Sequence, residues 1–286
     1  MKAIELFQKR CVFSFEVFPP KPTTPIEQIY HTIGELKSLS PDFISVTYGA
    51  GGSTPGSSTT DICANIQNQH GILSIAHLPC INDTKEGIAE KLRLFKENGI
   101  ENILALRGDR NPNIEPTNAF AHASDLVAFI REQGDFDICG ACYPEGHPEA
   151  QDLVTDIRNL KLKVDAGVSH LITQLFLRNK SFYQFREKLA IAGVNVPIEA
   201  GIMPVTNKNS IERMVSLCGA SIPSRLSRLL ARYSDDPQSL KAAGLEYAIE
   251  QILDLIANGV DGIHLYTMNN ADVAKYIMDA ILDELP

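Results

Sequence analysis

No apolar run in these 286 residues approaches membrane-spanning length, and the opening Met1-Lys2-Ala3-Ile4-Glu5-Leu6 lacks the apolar stretch of a signal peptide. There is no block of Lys and Arg either. The net charge is −9 with both signs mixed along the chain, which argues against nucleic acid as a partner, because that binding rests on clustered cations. The six cysteines, at 11, 63, 80, 139, 142 and 218, follow no disulfide-framework or metal-ligand spacing. Cys139 and Cys142 have CxxC spacing but lie in a strand pattern, where an offset of three sends the side chains to opposite faces, against a redox or zinc role. Rossmann and P-loop fingerprints, a Ser-His-Asp set, a two-histidine metal motif and low-complexity segments are all missing. These absences leave an expected cytoplasmic enzyme without membrane or nucleic-acid partners, working without a metal and resting on an organic cofactor.

What is present is a rhythm. Short apolar runs at 12–18, 42–48, 73–79, 102–107, 137–143, 170–176, 197–203 and 262–268 read as strands. Helical patterns alternate with them at 25–38, 58–69, 84–97, 122–133, 149–166, 179–191, 207–217 and 238–257, and a last one at 270–283 closes the chain. Gly99, Gly134, Gly167, Gly193 and Gly259 punctuate helix ends. Eight βα units in a chain of this length predict an α/β fold, a single (β/α)8 TIM barrel spanning residues 1–286 as one catalytic domain. Two features depart from the rhythm. Residues 221–237 add a helical element between strands seven and eight, and the Asn- and Pro-rich loop 109–121 is long enough to be a candidate lid.

In such a barrel the C-terminal strand ends form the active site. Here they deliver Glu16, Thr47, His77, Arg107 with Asp109, Tyr143 with Glu145 and His147 beyond it, Gln174 and Tyr266. Alternation in Phe13-Ser14-Phe15-Glu16-Val17-Phe18 puts Phe13, Phe15 and Val17 on one face and Ser14, Glu16 and Phe18 on the other, which commits Glu16 to a buried face where an ionised carboxylate is costly. It reads either as a structural salt-bridged Glu or as a general acid carrying its proton near neutral pH. His77 alone reads as a core histidine, and Arg107 could pair with Asp109. Gly108 suggests close approach of a ligand to backbone. The loop Gly49-Ala50-Gly51-Gly52-Ser53 could cradle phosphate. Asp156, Asn159 and Lys163 form one polar stripe near the N-terminal half of the fifth helix, most simply a solvated face.

Read together, Ser14-Phe15-Glu16-Val17-Phe18-Pro19-Pro20, Ser45-Val46-Thr47-Tyr48-Gly49-Ala50, His77-Leu78, Leu106-Arg107-Gly108-Asp109, Tyr143-Pro144-Glu145-Gly146-His147-Pro148-Glu149-Ala150 and Ile172-Thr173-Gln174 resemble the bacterial methylenetetrahydrofolate reductases, from about residue 12 to the final helix. The resemblance implies an FAD-containing barrel that reduces 5,10-methylenetetrahydrofolate to 5-methyltetrahydrofolate with NADH or NADPH, in ping-pong fashion through the flavin. It implies Glu16 as general acid, Asp109 as the carboxylate beside flavin and folate, and Gln174 on the pterin, with Met214, Tyr266 and Asn270 as further substrate positions. It assigns Thr47, His77, Leu106, Arg107, Gly108, Asp109, Ala141, Tyr143, His147, Asp156, Asn159 and Lys163 to FAD. Met214 stands where a ligand-stacking Phe is expected, and Asn270 where an Arg would meet the folate glutamate tail. The expected partners are folate and a nicotinamide dinucleotide, with a homo-oligomeric assembly. A C-terminal regulatory domain is not expected. The rival readings are another flavin barrel, proline-dehydrogenase-like, and a catalytically silent pterin-binding barrel.

Overall fold

The computed structural model describes residues 1–8, 10–48, 58–110 and 115–284; the expected phosphate-cradling loop 49–53 and residues 111–114 of the candidate lid lie outside them. Eight parallel strands, β1 (Val12–Val17), β2 (Phe43–Val46), β3 (Leu73–Pro79), β4 (Asn102–Leu106), β5 (Asp137–Cys142), β6 (His170–Thr173), β7 (Ile198–Ile202) and β8 (Gly262–Tyr266), pair in sequence order. The β1–β8 pair closes the barrel, with Ser14 opposite His264 and Glu16 opposite Tyr266. Around it run α1 (Ile26–Lys37), α2 (Thr59–His70), α3 (Lys85–Glu97), α4 (Ala123–Gln133), α5 (Leu153–Asp165), α6 (Asn179–Ile191), α7 (Lys208–Cys218), α8 (Ser224–Arg232), α9 (Pro237–Ala257) and α10 (Ala271–Ile281). The predicted α/β barrel is therefore the fold, and α8 is the extra helix expected between the last two strands.

Alternation along each strand sorts side chains between two layers. Phe13, Phe15 and Val17 join Ile44, Val46, Ala76 and Ile103 in the large apolar layer between strands and helices, while Val12, Phe43, Ile75, Leu104, Cys139 and Ile172 fill the lower barrel interior. Cys139 and Cys142 fall in different layers, as their spacing requires. Polar side chains fill the rest of the interior: Ser14, Ser45, Glu199 and His264 are all fully buried.

Most strands end sooner than their apolar runs. Thr47, Arg107, Tyr143 and Gln174 lie just past the last ladder residues, free to form the mouth. Helix α5 starts at Leu153, not at 149, because Asp152 caps it by accepting from the Thr155 N–H at 2.7 Å. Gly134 ends α4 in extended backbone that any residue can adopt, unlike Gly99, Gly193 and Gly259, which have φ between 66° and 75°. The described part of the long loop is tied down: Thr117 donates its N–H to Ile81 O at 3.2 Å and its hydroxyl to Asp83 O at 2.5 Å, and Phe120 is buried.

One element has no counterpart in the hydrophobic rhythm. A 3-10 turn, Ala3–Gln8, plugs the lower end of the barrel. Its free N–H groups are taken by side chains at the feet of two strands: Ala3 donates to Asn102 Oδ1 at 2.8 Å and Ile4 to Asp137 Oδ2 at 2.9 Å. Leu6 and Phe7 then pack on the lower interior layer, Phe7 against the His170 ring at 5.1 Å.

Gly244 of α9 tests how tightly the outer helices sit. A Cβ there would lie 1.7 Å from the Val205 carbonyl oxygen, which is backbone and cannot swing aside. Gly244→Ala is expected to destabilise the protein by at least the usual overpacking cost, about 1–3 kcal/mol, despite its better helix propensity. A denaturant midpoint equal to or above that of the parent would contradict the packing.

Candidate active site at the barrel mouth

Glu16 is the penultimate residue of β1, and the pleat turns it inward. Its carboxyl is not fully buried as expected: the side chain is 20% exposed, at the floor of the mouth. Its Oε2 lies 3.5 Å from His77 Nε2 and 3.7 Å from His264 Nε2. The carbonyl of Glu16 accepts a hydrogen bond from the Thr267 hydroxyl at 2.7 Å, and Asn269 clamps both backbone groups of Phe18, at 2.8 and 3.0 Å. The acid thus stands on a fixed backbone with two imidazoles beside it.

His77 is buried, and its Nε2 makes no hydrogen bond among the described residues. Burial pushes its pKa down to about 4, against the pull of Glu16. Tyr266 lies across the top of the interior and donates its hydroxyl to Thr173 O at 2.7 Å. It can do so because residue 201 is glycine: a Cβ there would stand 2.7 Å from the Tyr266 hydroxyl and 2.2 Å from Thr173 O. Gln174 is held alongside, its side-chain oxygen accepting from the Leu175 N–H at 2.8 Å.

The other half of the mouth is built from the ends of β4 and β5. Arg107 does not bridge to Asp109; it makes a bidentate pair with Glu149, at 2.7 and 2.8 Å, and donates Nε to the Gly108 carbonyl at 3.1 Å. Glu149 is available because α5 begins later than its pattern suggested. Gly108 has φ 89° and a Cβ there would lie 3.1 Å from both Pro79 and Ile81, so the chain needs glycine at this position whatever binds above it. Asp109 follows, exposed. The Tyr143 and His147 rings meet edge to face with centroids 4.6 Å apart, and burial raises the Tyr143 pKa to about 12.

The polar stripe on α5 is not a plain solvated face. Asp156, in the first turn, accepts the His147 N–H at 3.2 Å, and its carboxyl pKa is raised by burial. Lys163 sits in the last turn rather than the N-terminal half, and its ammonium reaches up to the Ala141 carbonyl at the end of β5. It passes through space that Gly140 leaves, where a Cβ would be 3.3 Å from Lys163 Cε, and desolvation lowers its pKa. Asn159 is exposed. Thr47 is tied to the ladder by its N–H to Val17 O at 3.0 Å, and Leu106 borders the interior layer. Met214 packs in a separate apolar cluster under α7 and α8. Asn270 has a structural role of its own: its side chain caps α10, accepting the Val273 N–H at 3.1 Å.

Three interior residues were given no role from the sequence, although Ser14 was placed on the face of Glu16. Ser14 Oγ lies 2.9 Å from Glu199 Oε1 and 2.6 Å from His264 Nδ1, linking a fully buried carboxyl on β7 to the histidine beside Glu16. The same alternation that turned Glu16 inward also points to Ser14 and, on β8, to His264 two residues below Tyr266.

The fold and mouth define a (β/α)8 barrel whose ionisable groups gather at the C-terminal ends of the strands. Comparison with known proteins narrows this. The methylenetetrahydrofolate reductase family model matches residues 1–282. The 5,10-methylenetetrahydrofolate reductase of Pectobacterium carotovorum is 36% identical over 94% of this chain and 90% of its own, and that of Escherichia coli is 37% identical over 92% and 88%. An Arabidopsis thaliana protein named methylenetetrahydrofolate reductase (NADH) 1 is 39% identical over 92% of this chain but only 47% of its own length. Among solved structures, a Clostridium thermocellum protein described as binding two copies of 5-methyl-5,6,7,8-tetrahydrofolic acid superposes with TM-score 0.63 at 15% identity, over 98% of this chain and 97% of that one. The chain belongs to the methylenetetrahydrofolate reductase family. Among the described residues no helix is long and apolar enough to cross a membrane.

Two expectations follow from the site. His77 is neutral in the fold down to about pH 4, whereas the unfolded ring protonates near 6.5. Between these values the unfolded chain binds more protons, so stability falls as pH falls, by up to about 1.4 kcal/mol per pH unit. Denaturant midpoints measured across that window should slope less steeply in His77→Leu than in the parent, and parallel slopes would refute the burial argument. Asn270→Ala should cost about 1 kcal/mol through the lost cap, with Asn270→Asp close to neutral by the same measurement.

Proposed function

We propose that this protein reduces 5,10-methylenetetrahydrofolate to 5-methyltetrahydrofolate, with NADH or NADPH as reductant and FAD bound at the mouth. The observation that carries the proposal is the Glu16 carboxyl, partly exposed on a rigid strand end between His77 and His264. The residues around it suit a flavin dinucleotide. A buried imidazole nitrogen lacks a partner at His77, a guanidinium is held by Glu149 at the rim, the Tyr143 and His147 rings pack edge to face, and the Lys163 ammonium ends on Ala141 O. Thr47, Leu106, Gly108, Asp109, Asp156 and Asn159 complete the set assigned to it by family resemblance. FAD would supply hydride transfer, accepting from the nicotinamide and giving to the folate in successive steps at one place.

The chain's own work is acid chemistry, charge and orientation. Glu16 donates a proton to the folate ring nitrogen that departs, opening the ring to the cation that accepts hydride. Asp109, exposed on the loop beyond β4, offers a negative charge to that cation. Gln174 has its oxygen engaged by Leu175 N–H, so its amide N–H groups are what it can present to the pterin. Tyr266, locked on Thr173 O, gives a rigid wall, and the buried interior beneath keeps water from the far side of the acid. Met214 on α7 and Asn270 at the start of α10 are the remaining substrate positions in this reading.

Glu16→Gln keeps shape and hydrogen bonding but cannot donate the proton. In stopped flow, flavin reduction by NAD(P)H is expected within about tenfold of the parent, while reoxidation by methylenetetrahydrofolate should fall by about 10²–10⁴-fold. Equal losses in both half-reactions, or normal folate reduction, would refute the assignment. Arg107→Ala is expected to release flavin on dilution, and full retention would refute the cofactor placement.

A further inference from the structure

Ser14 has one hydroxyl proton and two close polar partners, Glu199 Oε1 at 2.9 Å and His264 Nδ1 at 2.6 Å. A third contact, Ile263 O at 3.5 Å, is too long to compete for the proton, so Ser14 donates to one of the two close partners and accepts from the other. If Glu199 is a carboxylate, Ser14 donates to it, and the Nδ1–H of His264 donates to Ser14. If Glu199 is a carboxylic acid, it donates to Ser14, and Ser14 donates to Nδ1. The two arrangements put the proton of a neutral His264 ring on opposite nitrogens.

The surroundings of Glu199 decide between them. Its side chain is fully buried in the barrel, and Oε2 makes no hydrogen bond among the described residues. The titratable groups that face it are Asp42 at the foot of β2, Cys139 on β5 and Cys11 just before β1, with His264 reached through Ser14. None of these carries a fixed positive charge; the neighbouring cation, Arg10, is half exposed and engaged by Asp42. A buried carboxylate with no cation and one unpaired oxygen is costly, and burial raises this carboxyl's pKa well above its ordinary value. The space is made for it: Gly262 lies opposite Glu199 in the β7–β8 register, and a Cβ there would stand 2.7 Å from Glu199 Cγ.

We propose that Glu199 is a positioning residue that, as the neutral acid, directs the hydrogen-bond chain Glu199 to Ser14 to His264 and so fixes the His264 proton on Nε2, facing Glu16. That nitrogen is 3.7 Å from Glu16 Oε2 and 3.4 Å from Ser45 Oγ. The N–H then meets the carboxylate that Glu16 becomes when it gives up its proton, and the contact can tighten when folate covers the mouth. This rests on the reading of Glu16 as the acid for its kinetic consequence, but the direction of the chain does not depend on that reading.

The test has a spectroscopic and a kinetic arm. Nitrogen NMR of isotope-labelled histidine in the flavin-free protein, with His264 assigned by its loss in His264→Asn, should show the Nε2–H tautomer at neutral pH. An Nδ1–H tautomer or a doubly protonated ring would overturn the proposal. Glu199→Gln retains a donor for Ser14 and should keep the tautomer. Ser14→Ala removes the link and should abolish the Nε2–H preference; a tautomer unchanged in Ser14→Ala would overturn it. In the kinetic arm, Ser14→Ala should slow the folate half-reaction about tenfold, the worth of one hydrogen bond, while flavin reduction by NAD(P)H is unchanged and Glu199→Gln stays near the parent. Parallel loss in both half-reactions would mark a structural role and overturn the proposal. Failure of the Glu16→Gln test with the tautomer as expected would remove the acid assignment and leave the chain's direction standing.

Discussion

Closure of the barrel by β1 against β8 is the constraint on which the site depends. It fixes Ser14 opposite His264 and Glu16 opposite Tyr266, while the other edge of β1 sets Glu16 opposite Ser45. A slip of one residue would turn Phe13, Phe15 and Val17 into the interior and drive Ser14 and Glu16 into the apolar layer under the helices. The register is therefore held by the same aromatic residues that supply much of the burial. Stability and chemistry share one strand and divide it by parity.

A polar interior beneath the mouth is tolerable because its groups are mostly satisfied in pairs and because the surrounding apolar layer is large and continuous. Ser14, Ser45, His264 and Glu199 form one cluster, and Ser169, His170 and Asp137 another, lower in the barrel, where His170 Nδ1 is 3.0 Å from Ser169 Oγ. The orphan atoms are few and telling. His77 Nε2 and Glu199 Oε2 are both buried; the first lies 3.5 Å from the Glu16 carboxyl, and the second is tolerable as a neutral carbonyl but not as half of an anion.

The barrel was legible because its signals are local: period-two runs, helix stops and eight repetitions of one unit. Much of the mouth was legible for the same reason, since strand ends name their own residues. What escaped depended on which residues distant segments bring together. Arg107 finds Glu149 only because Asp152 sets the start of α5, and nothing near Arg107 in the sequence says so. Glu199 sits in a short apolar run, Ile198-Glu199-Ala200, where a lone acid has no visible partner until β1 and β8 close on it. Asn270 was read for a ligand, yet its position before α10 also matches a helix cap. Lys163 looked solvent-facing on a helix wheel because a wheel does not show a long side chain threading past a glycine on the neighbouring strand.

The plug formed by Ala3–Gln8 has a consequence for the order in which the chain assembles. Its two anchoring acceptors, on Asn102 and Asp137, come roughly a hundred and more residues later, so during synthesis the first segment leaves the ribosome with nowhere to dock. β1 is in the same position on one side, since Ser14 meets His264 of β8 only 250 residues later. The turn thus waits for the feet of β4 and β5, while the barrel itself closes only when β8 arrives. Such long-range closure slows folding and exposes strand edges meanwhile, and the open edge of β1 waits longer than the turn before it.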